Sequence, residues 1–192
     1  MLSSFNQIMA MNESKNVYTI TLGAGCFWCT EAVFQRVKGV LSVTSGYSGG
    51  KIANPTYREV TSGLTGHAEV IQLVYDADSI SLEDILKIFF KTHNPTTLNR
   101  QGADVGTQYR SAIFYHNEDQ RKIAEHVKQL LNDQQIWEDP IVTEIKAFDA
   151  FYKAEGYHQN YYNNNPNQGY CQFVIVPKLE KFNQLFDDLK KE

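Results

Sequence analysis

Between Glu69 and Tyr75 the chain reads Glu-Val-Ile-Gln-Leu-Val-Tyr, with Glu69, Ile71, Leu73 and Tyr75 on one face and Val70, Gln72 and Val74 on the other. Period-two placement of β-branched and aromatic residues specifies a β-strand. A strand buries an apolar face only against another layer, so the remaining elements are read for what they supply. Val17–Leu22 alternates in the same way and reads as a strand broken by Gly23-Ala24-Gly25. A helix is expected from about Cys26, with Val33, Phe34 and Val37 on its apolar face and Gly39 at its end. A strand over Val40–Ser45 precedes the Gly-rich stretch Gly46–Gly50, expected to lack regular structure. Ser81 with Asp84 in the capping-box position starts a helix whose stripe is Leu82, Ile85, Leu86 and Phe89, and Asn94-Pro95 stops it. Residues 96–108 read as loop and Tyr109–Tyr115 as strand. Asn117 begins a helix with Ile123, Val127, Leu130 and Leu131 inward. A short strand over Thr143–Phe148, an irregular Gly156–Gly169 and a last helix over about Lys178–Lys190 complete the chain. That helix repeats Leu179, Phe182, Leu185, Phe186 and Leu189.

This order predicts an α+β fold: a mixed, mainly antiparallel sheet packed with helices, a two-layer sandwich with a ferredoxin-like core and long irregular loops. Residues 1–15 are polar and patternless and read as a loosely held leader, leaving 16–192 as a single catalytic domain. The loops around 46–66, 96–108 and 156–170 are expected to carry function. Composition narrows what that function is. Lys and Arg number 18 against 22 Asp and Glu, a net charge of −4, which argues against a surface that tracks nucleic-acid phosphates. No apolar run reaches the roughly 18–20 residues of a membrane helix, and the N-terminus lacks the pattern of a signal peptide. Three cysteines in 192 residues cannot all pair, so the thiols read as reactive or buried and the location as cytoplasmic.

Cys26 follows Gly-Ala-Gly at a strand-to-helix junction, where unsatisfied N–H groups and the helix dipole favour an anion. A thiolate there is expected to form below the pKa of about 8.5 of an ordinary cysteine and to be a good nucleophile. The competing reading is a small buried apolar residue. Cys26-Phe27-Trp28-Cys29 has C-x-x-C spacing, which raises thiol–disulfide exchange as an alternative function. Its two bulky central residues suit an apolar slot beside the thiol better than a redox turn, with core packing as their plainer role. Glu69 heads an otherwise apolar strand face. Desolvated, it keeps its proton near pH 7 and can serve as a general acid; facing water, it cannot. Tyr57 and Tyr109 sit beside turns from which a phenol reaches a cavity or merely fills space. Asp104, in the loop before Tyr109, is equally an ordinary turn residue. Cys171 ends the Asn-rich segment, where a loop can carry its sulfur to another thiol. A zinc site from Cys26, Cys29, Cys171 and a histidine lacks a second tight ligand pair, so no metal is expected.

Gly25-Cys26-Phe27-Trp28 followed by Glu31 resembles the signature of A-type peptide methionine sulfoxide reductases. The likeness continues through Gly46–Gly50, Asn54–Tyr57, Thr65–Glu69, Arg100–Asp104, Gly106–Ser111 and His158–Tyr161. It implies an α+β sandwich that reduces the S epimer of methionine sulfoxide, free or in proteins, with no cofactor. It also implies that Cys26 is the nucleophile, that Phe27 and Trp28 hold the methyl group, and that Glu69 supplies a proton. Tyr57 and Tyr109 hold the oxygen on this reading, Asp104 supports them, and Cys171 resolves a Cys26 sulfenic acid into a disulfide that thioredoxin reduces. The expected protein is a monomer with no nucleic-acid or membrane partner. Two positions depart from the pattern: Cys29 stands where glycine is common, and Asn94 where aspartate is frequent. Cys29 is therefore a second candidate to resolve or shuttle the disulfide, since i and i+3 at a helix start bring Cα atoms within disulfide range. Cys171 is preferred because a mobile loop reaches the sulfenic acid without straining a helix.

Overall fold

The computed structural model describes residues 16–191; the leader expected over 1–15 lies outside the described residues. In chain order the elements are β1 (Val17–Ala24), α1 (Phe27–Phe34), β2 (Val40–Ser48), α2 (Tyr57–Thr61), β3 (Ala68–Asp76) and α3 (Leu82–Thr92). There follow β4 (Arg100–Gln101), β5 (Asp104–Val105), β6 (Ser111–Tyr115), α4 (Glu118–Asp133), β7 (Glu144–Ala147), β8 (Phe151–Lys153), α5 (Tyr161–Asn164) and α6 (Val176–Leu185). A six-stranded sheet runs β7-β6-β1-β3-β2-β8, antiparallel at every pairing except β6 with β7. β4 and β5 pair separately as a hairpin. The mixed, mainly antiparallel α+β sandwich is the architecture the element order predicts.

The central strands and the two amphipathic helices follow the sequence closely. β1 and β3 pair from Val17 with Asp76 to Leu22 with Ile71, burying Ile20, Leu22, Ile71 and Leu73 completely. The Ser81 hydroxyl accepts the Asp84 N–H at 3.1 Å to start α3, and Ile85, Leu86 and Phe89 are fully buried. Each such side chain contributes about 2 kcal/mol of apolar burial. Asn117 caps α4 by accepting the Gln120 N–H at 2.9 Å. Leu130 is exposed, against expectation, because the buried line runs through Gln120, Ala124, Val127 and Leu131, one position round the helix.

Elsewhere long-range pairing overrides local signals. β1 runs on through Gly23 and Ala24, which pair with Ala112 and Ser111. The chain turns only at Gly25, whose φ of +85° favours glycine. A Cβ there would lie 2.6 Å from the Gln101 side chain. α1 ends at Gln35 rather than Gly39, because Arg36 and Val37 bond three residues back and Val37 then bridges to Lys190. Gly46-Tyr47-Ser48 is strand, not irregular loop, since β3 and β8 pair with it from both sides. At Gly46 a Cβ would come within 2.4 Å of the Phe151 ring. The region expected as loop over 96–108 contains the β4–β5 hairpin. Tyr109 closes a 3-10 turn ahead of β6 instead of starting the strand. The last helix begins earlier than expected and leaves helical geometry at Phe186, so that Leu189 can accept the Lys38 N–H at 2.7 Å.

Candidate active site

Cys26 is the N-cap of α1, with non-helical φ −54° and ψ 123°. The Cys26 side chain makes no capping hydrogen bond to this helix start. The Phe27 N–H is taken instead by Glu69 Oε2 on β3, at 3.1 Å. That bond brings carboxyl and thiol together across 43 residues of sequence, because β1 feeds α1 directly beside its antiparallel neighbour β3. Glu69 is 1% exposed. Burial pushes its pKa up to about 8, with the charges of Asp104 and Cys29 adding and the Phe27 N–H opposing. At neutral pH the carboxyl therefore keeps its proton.

The surroundings of Cys26 differ from the expectation: the first N–H of α1 serves Glu69 rather than the sulfur. Cys26 is 8% exposed, and burial pushes its thiol up, reinforced by Cys29 and Glu69. Cys29, one turn into α1, is the thiol pulled down, chiefly by its hydrogen bond with Cys26 and also by Lys178.

Two tyrosines stand near the carboxyl. Tyr57 opens α2, whose start is fixed by a Thr56–Glu59 capping box and by Glu155 Oε1 accepting the Tyr57 N–H at 2.8 Å. Burial and the charge of Glu69 raise the Tyr57 phenol. Burial pushes Tyr109 up to about 12, with Glu69, Asp104 and Cys26 adding. Both phenols are thus committed donors at working pH. Asp104, on β5, faces a different group: Tyr170 donates to its Oδ2 at 2.8 Å, and the Tyr170 oxygen lies 3.8 Å from Cys29 Sγ.

On the other side of the thiol Phe27 and Trp28 sit in an aromatic box. The Phe27 ring packs against Tyr47, Tyr57 and His158. Trp28 stacks on Tyr161 at 3.6 Å and 4°, meets Tyr170 edge-on and donates its indole N–H to His158 Nδ1 at 3.0 Å. His158 is buried, and its Nε2 finds no hydrogen-bond partner among the described residues, lying 3.9 Å from Glu155 Oε2. Cys171 is not in a mobile loop: it opens a π-helical turn, Cys171–Ile175, continuous with α6, and is fully buried. Its thiol is raised by burial and by Cys29. No group of three or more His, Cys, Asp or Glu side chains is arranged to hold a metal among the described residues. Tyr170, His158, Tyr161 and Glu155 escape a reading of residue types and spacing; the signal that marks them is the density of aromatic and amide residues between Glu155 and Tyr170.

A family profile described as peptide methionine sulfoxide reductase matches residues 18–190. Peptide methionine sulfoxide reductase MsrA 1 of Rhodopirellula baltica is 57% identical over 168 residues, covering 88% of this chain and 86% of the relative. Among solved structures, reduced Mxr1 from Saccharomyces cerevisiae superposes with a TM-score of 0.75 at 35% identity, covering 83% of this chain and 91% of that one. Mxr1 solved in complex with Trx2 gives a TM-score of 0.54 at 26% identity, covering 81% and 91%. With likeness of this extent in both sequence and fold, the chain belongs to the peptide methionine sulfoxide reductase family.

Proposed function

We propose that residues 16–192 form one catalytic domain that reduces the S epimer of methionine sulfoxide, free or in oxidised proteins, and so repairs oxidative damage. The observation that carries this reading is the protonated, buried Glu69 beside the Cys26 thiol. A sulfoxide sulfur is electrophilic only when its oxygen is protonated or strongly hydrogen-bonded. Glu69 supplies that proton, and the Tyr57 and Tyr109 phenols hold the oxygen. Asp104 acts at one remove, by fixing Tyr170 next to the thiols. Phe27 and Trp28 receive the methyl group. Cys26 sulfur, ionised as substrate arrives, attacks the sulfoxide sulfur. Oxygen passes to Cys26, the methionine sulfur gains two electrons, and Cys26 loses two as it becomes a sulfenic acid. The Cys26 proton restores Glu69.

A second thiol then displaces water from the sulfenic acid and forms a disulfide. The geometry favours Cys29 for this step, reversing the order expected from the sequence. Cys26 stands outside the helix as its N-cap, three residues before Cys29, and the Cys29 thiol is lowered chiefly by its hydrogen bond with Cys26. Cys171, adjacent to Cys29 but locked in the π turn, would take the disulfide in a second exchange. A thioredoxin-type dithiol reduces the product, in line with the Trx2 complex of the yeast relative. The need for a reducing dithiol supports a cytoplasmic setting, and the protein is proposed to act as a monomer. No helix among the described residues is long and apolar enough to cross a membrane.

The test is turnover of separated methionine sulfoxide epimers with dithiothreitol. Consumption of the S epimer alone is expected; equal consumption of both, or of neither, contradicts the reading. For the order of thiols, Cys29→Ser is expected to accumulate sulfenic acid after one turnover. Cys171→Ser should still form a disulfide but recycle poorly with thioredoxin.

A further inference from the structure

α1 carries a second buried carboxyl. Glu31 lies one turn beyond Phe27 and is 2% exposed. It accepts the Tyr161 N–H on Oε2 at 3.4 Å, and the neighbouring Asn160 N–H lowers its pKa. Asn160 holds left-handed backbone, φ 55° and ψ 35°, immediately before α5. Asparagine is one of the few non-glycine residues that tolerate that conformation. The next turn of α1 grips the same segment: Asn163 donates to Gln35 Oε1 at 3.1 Å, and Arg36 donates to Asn163 Oδ1 at 3.0 Å. What this grip delivers is the Tyr161 ring, parallel to the Trp28 indole.

We propose that Glu31 is a positioning residue for the methyl side of the substrate pocket, fixing the Asn160–Tyr161 turn and, through Tyr161, the plane of Trp28. The proposal rests on the reading above that Trp28 lines that pocket. Burial raises the Glu31 carboxyl, yet the Asn160 and Tyr161 N–H groups oppose the rise. A buried carboxyl in such surroundings is costly unless its acceptors are used. Removing them leaves two backbone donors without a partner beneath the aromatic wall. The turn must then move, and the stack with it.

Kinetics on a peptide S-sulfoxide separate the effects. Glu31→Leu keeps side-chain bulk but accepts nothing, and is expected to raise KM about tenfold with kcat within about twofold, the signature of lost binding rather than lost chemistry. Glu31→Gln, whose amide oxygen still accepts, is expected within about twofold of wild type in both constants. The double variant Glu31→Leu/Tyr161→Leu should be no worse than Tyr161→Leu alone, since both act on one contact. In a Trp137→Phe background Trp28 is the remaining tryptophan, and its fluorescence emission should shift in Glu31→Leu but not in Glu31→Gln. Should Glu31→Leu not fold, Glu31→Asp, with its carboxylate drawn back by one methylene, should raise KM about threefold. An unchanged KM, equal losses in the Leu and Gln variants, or additive effects in the double variant would overturn the proposal. Failure of the underlying reading looks different: the wild type then leaves sulfoxide unreduced, while the Trp28 emission shift still appears.

Discussion

Cys26, Phe27, Trp28 and Glu69 stand at the ends or edges of the main strands and of α1, whereas Tyr109, His158 and Tyr170 stand on turns and Tyr161 opens the short α5. The first wall is rigid because β1, β3 and α1 share one core, with Phe27, Ile71 and Leu73 essentially inaccessible to solvent. The second is strapped on: Glu155 takes the Tyr47 hydroxyl and the Tyr57 N–H, and Gln159 bonds both the N–H and the carbonyl of Ser45. On the proposed mechanism the groups that exchange electrons and protons, Cys26 and Glu69, sit where the fold tolerates least motion. Groups that shape the pocket sit where a few polar contacts decide their place.

Substitutions should separate the two walls. The largest effect is expected for Cys26→Ser, which abolishes sulfoxide turnover while leaving the fold intact; residual turnover above the uncatalysed rate breaks the distinction. Glu69→Gln keeps the hydrogen bond from Phe27 but removes the acid, and kcat should fall on the order of 10²–10³-fold. The pH dependence carries a sign. Glu69 titrates above the ordinary carboxyl range, at about 8, so its proton is present at pH 7 and lost as pH rises through that value. Wild-type activity should therefore decline on the alkaline side, and Glu69→Gln should lack that limb. Tyr57→Phe removes one of two donors to the oxygen and should cost about tenfold in kcat. Glu155→Ala, on the strapped wall, should raise KM several-fold with little change in kcat, since it holds α2 and Tyr47 without touching the reacting atoms. The smallest effect is expected for Gly46→Ala: crowding against Phe151 should cost about 1–3 kcal/mol of stability, read as a lowered Tm, with catalysis nearly unchanged.

The same division explains what the sequence makes legible. β3, α3 and α4 declare themselves through periodicity and caps, because each is specified by residues close in sequence. The proposed nucleophile and acid are legible for a related reason: Cys26 follows Gly-Ala-Gly and Glu69 heads an apolar face. β8 has no local signature; it exists because β2 offers it an edge, and its three residues gain strand geometry from that pairing. The continuation of β2 through Gly46 is hidden likewise, since a glycine reads as a break until Phe151 is seen lying over it. Tyr170 and His158 were indistinguishable from other aromatic residues in a polar stretch until Asp104 and Trp28 came within hydrogen-bonding reach. The shift in Cys26 acidity was beyond sequence altogether, because it turns on how deeply the folded chain buries the thiol and on Cys29 and Glu69 standing beside it.

The account depends on Glu69 holding a proton at neutral pH in the substrate-free protein. Carbon-13 NMR of a glutamate-labelled sample, with Glu69→Gln used to identify the resonance, reports that titration directly. A Glu69 carboxyl midpoint close to pH 8 is the predicted result. A midpoint in the ordinary range of about 4 to 5 would leave no acid to meet the sulfoxide oxygen and would contradict the mechanism.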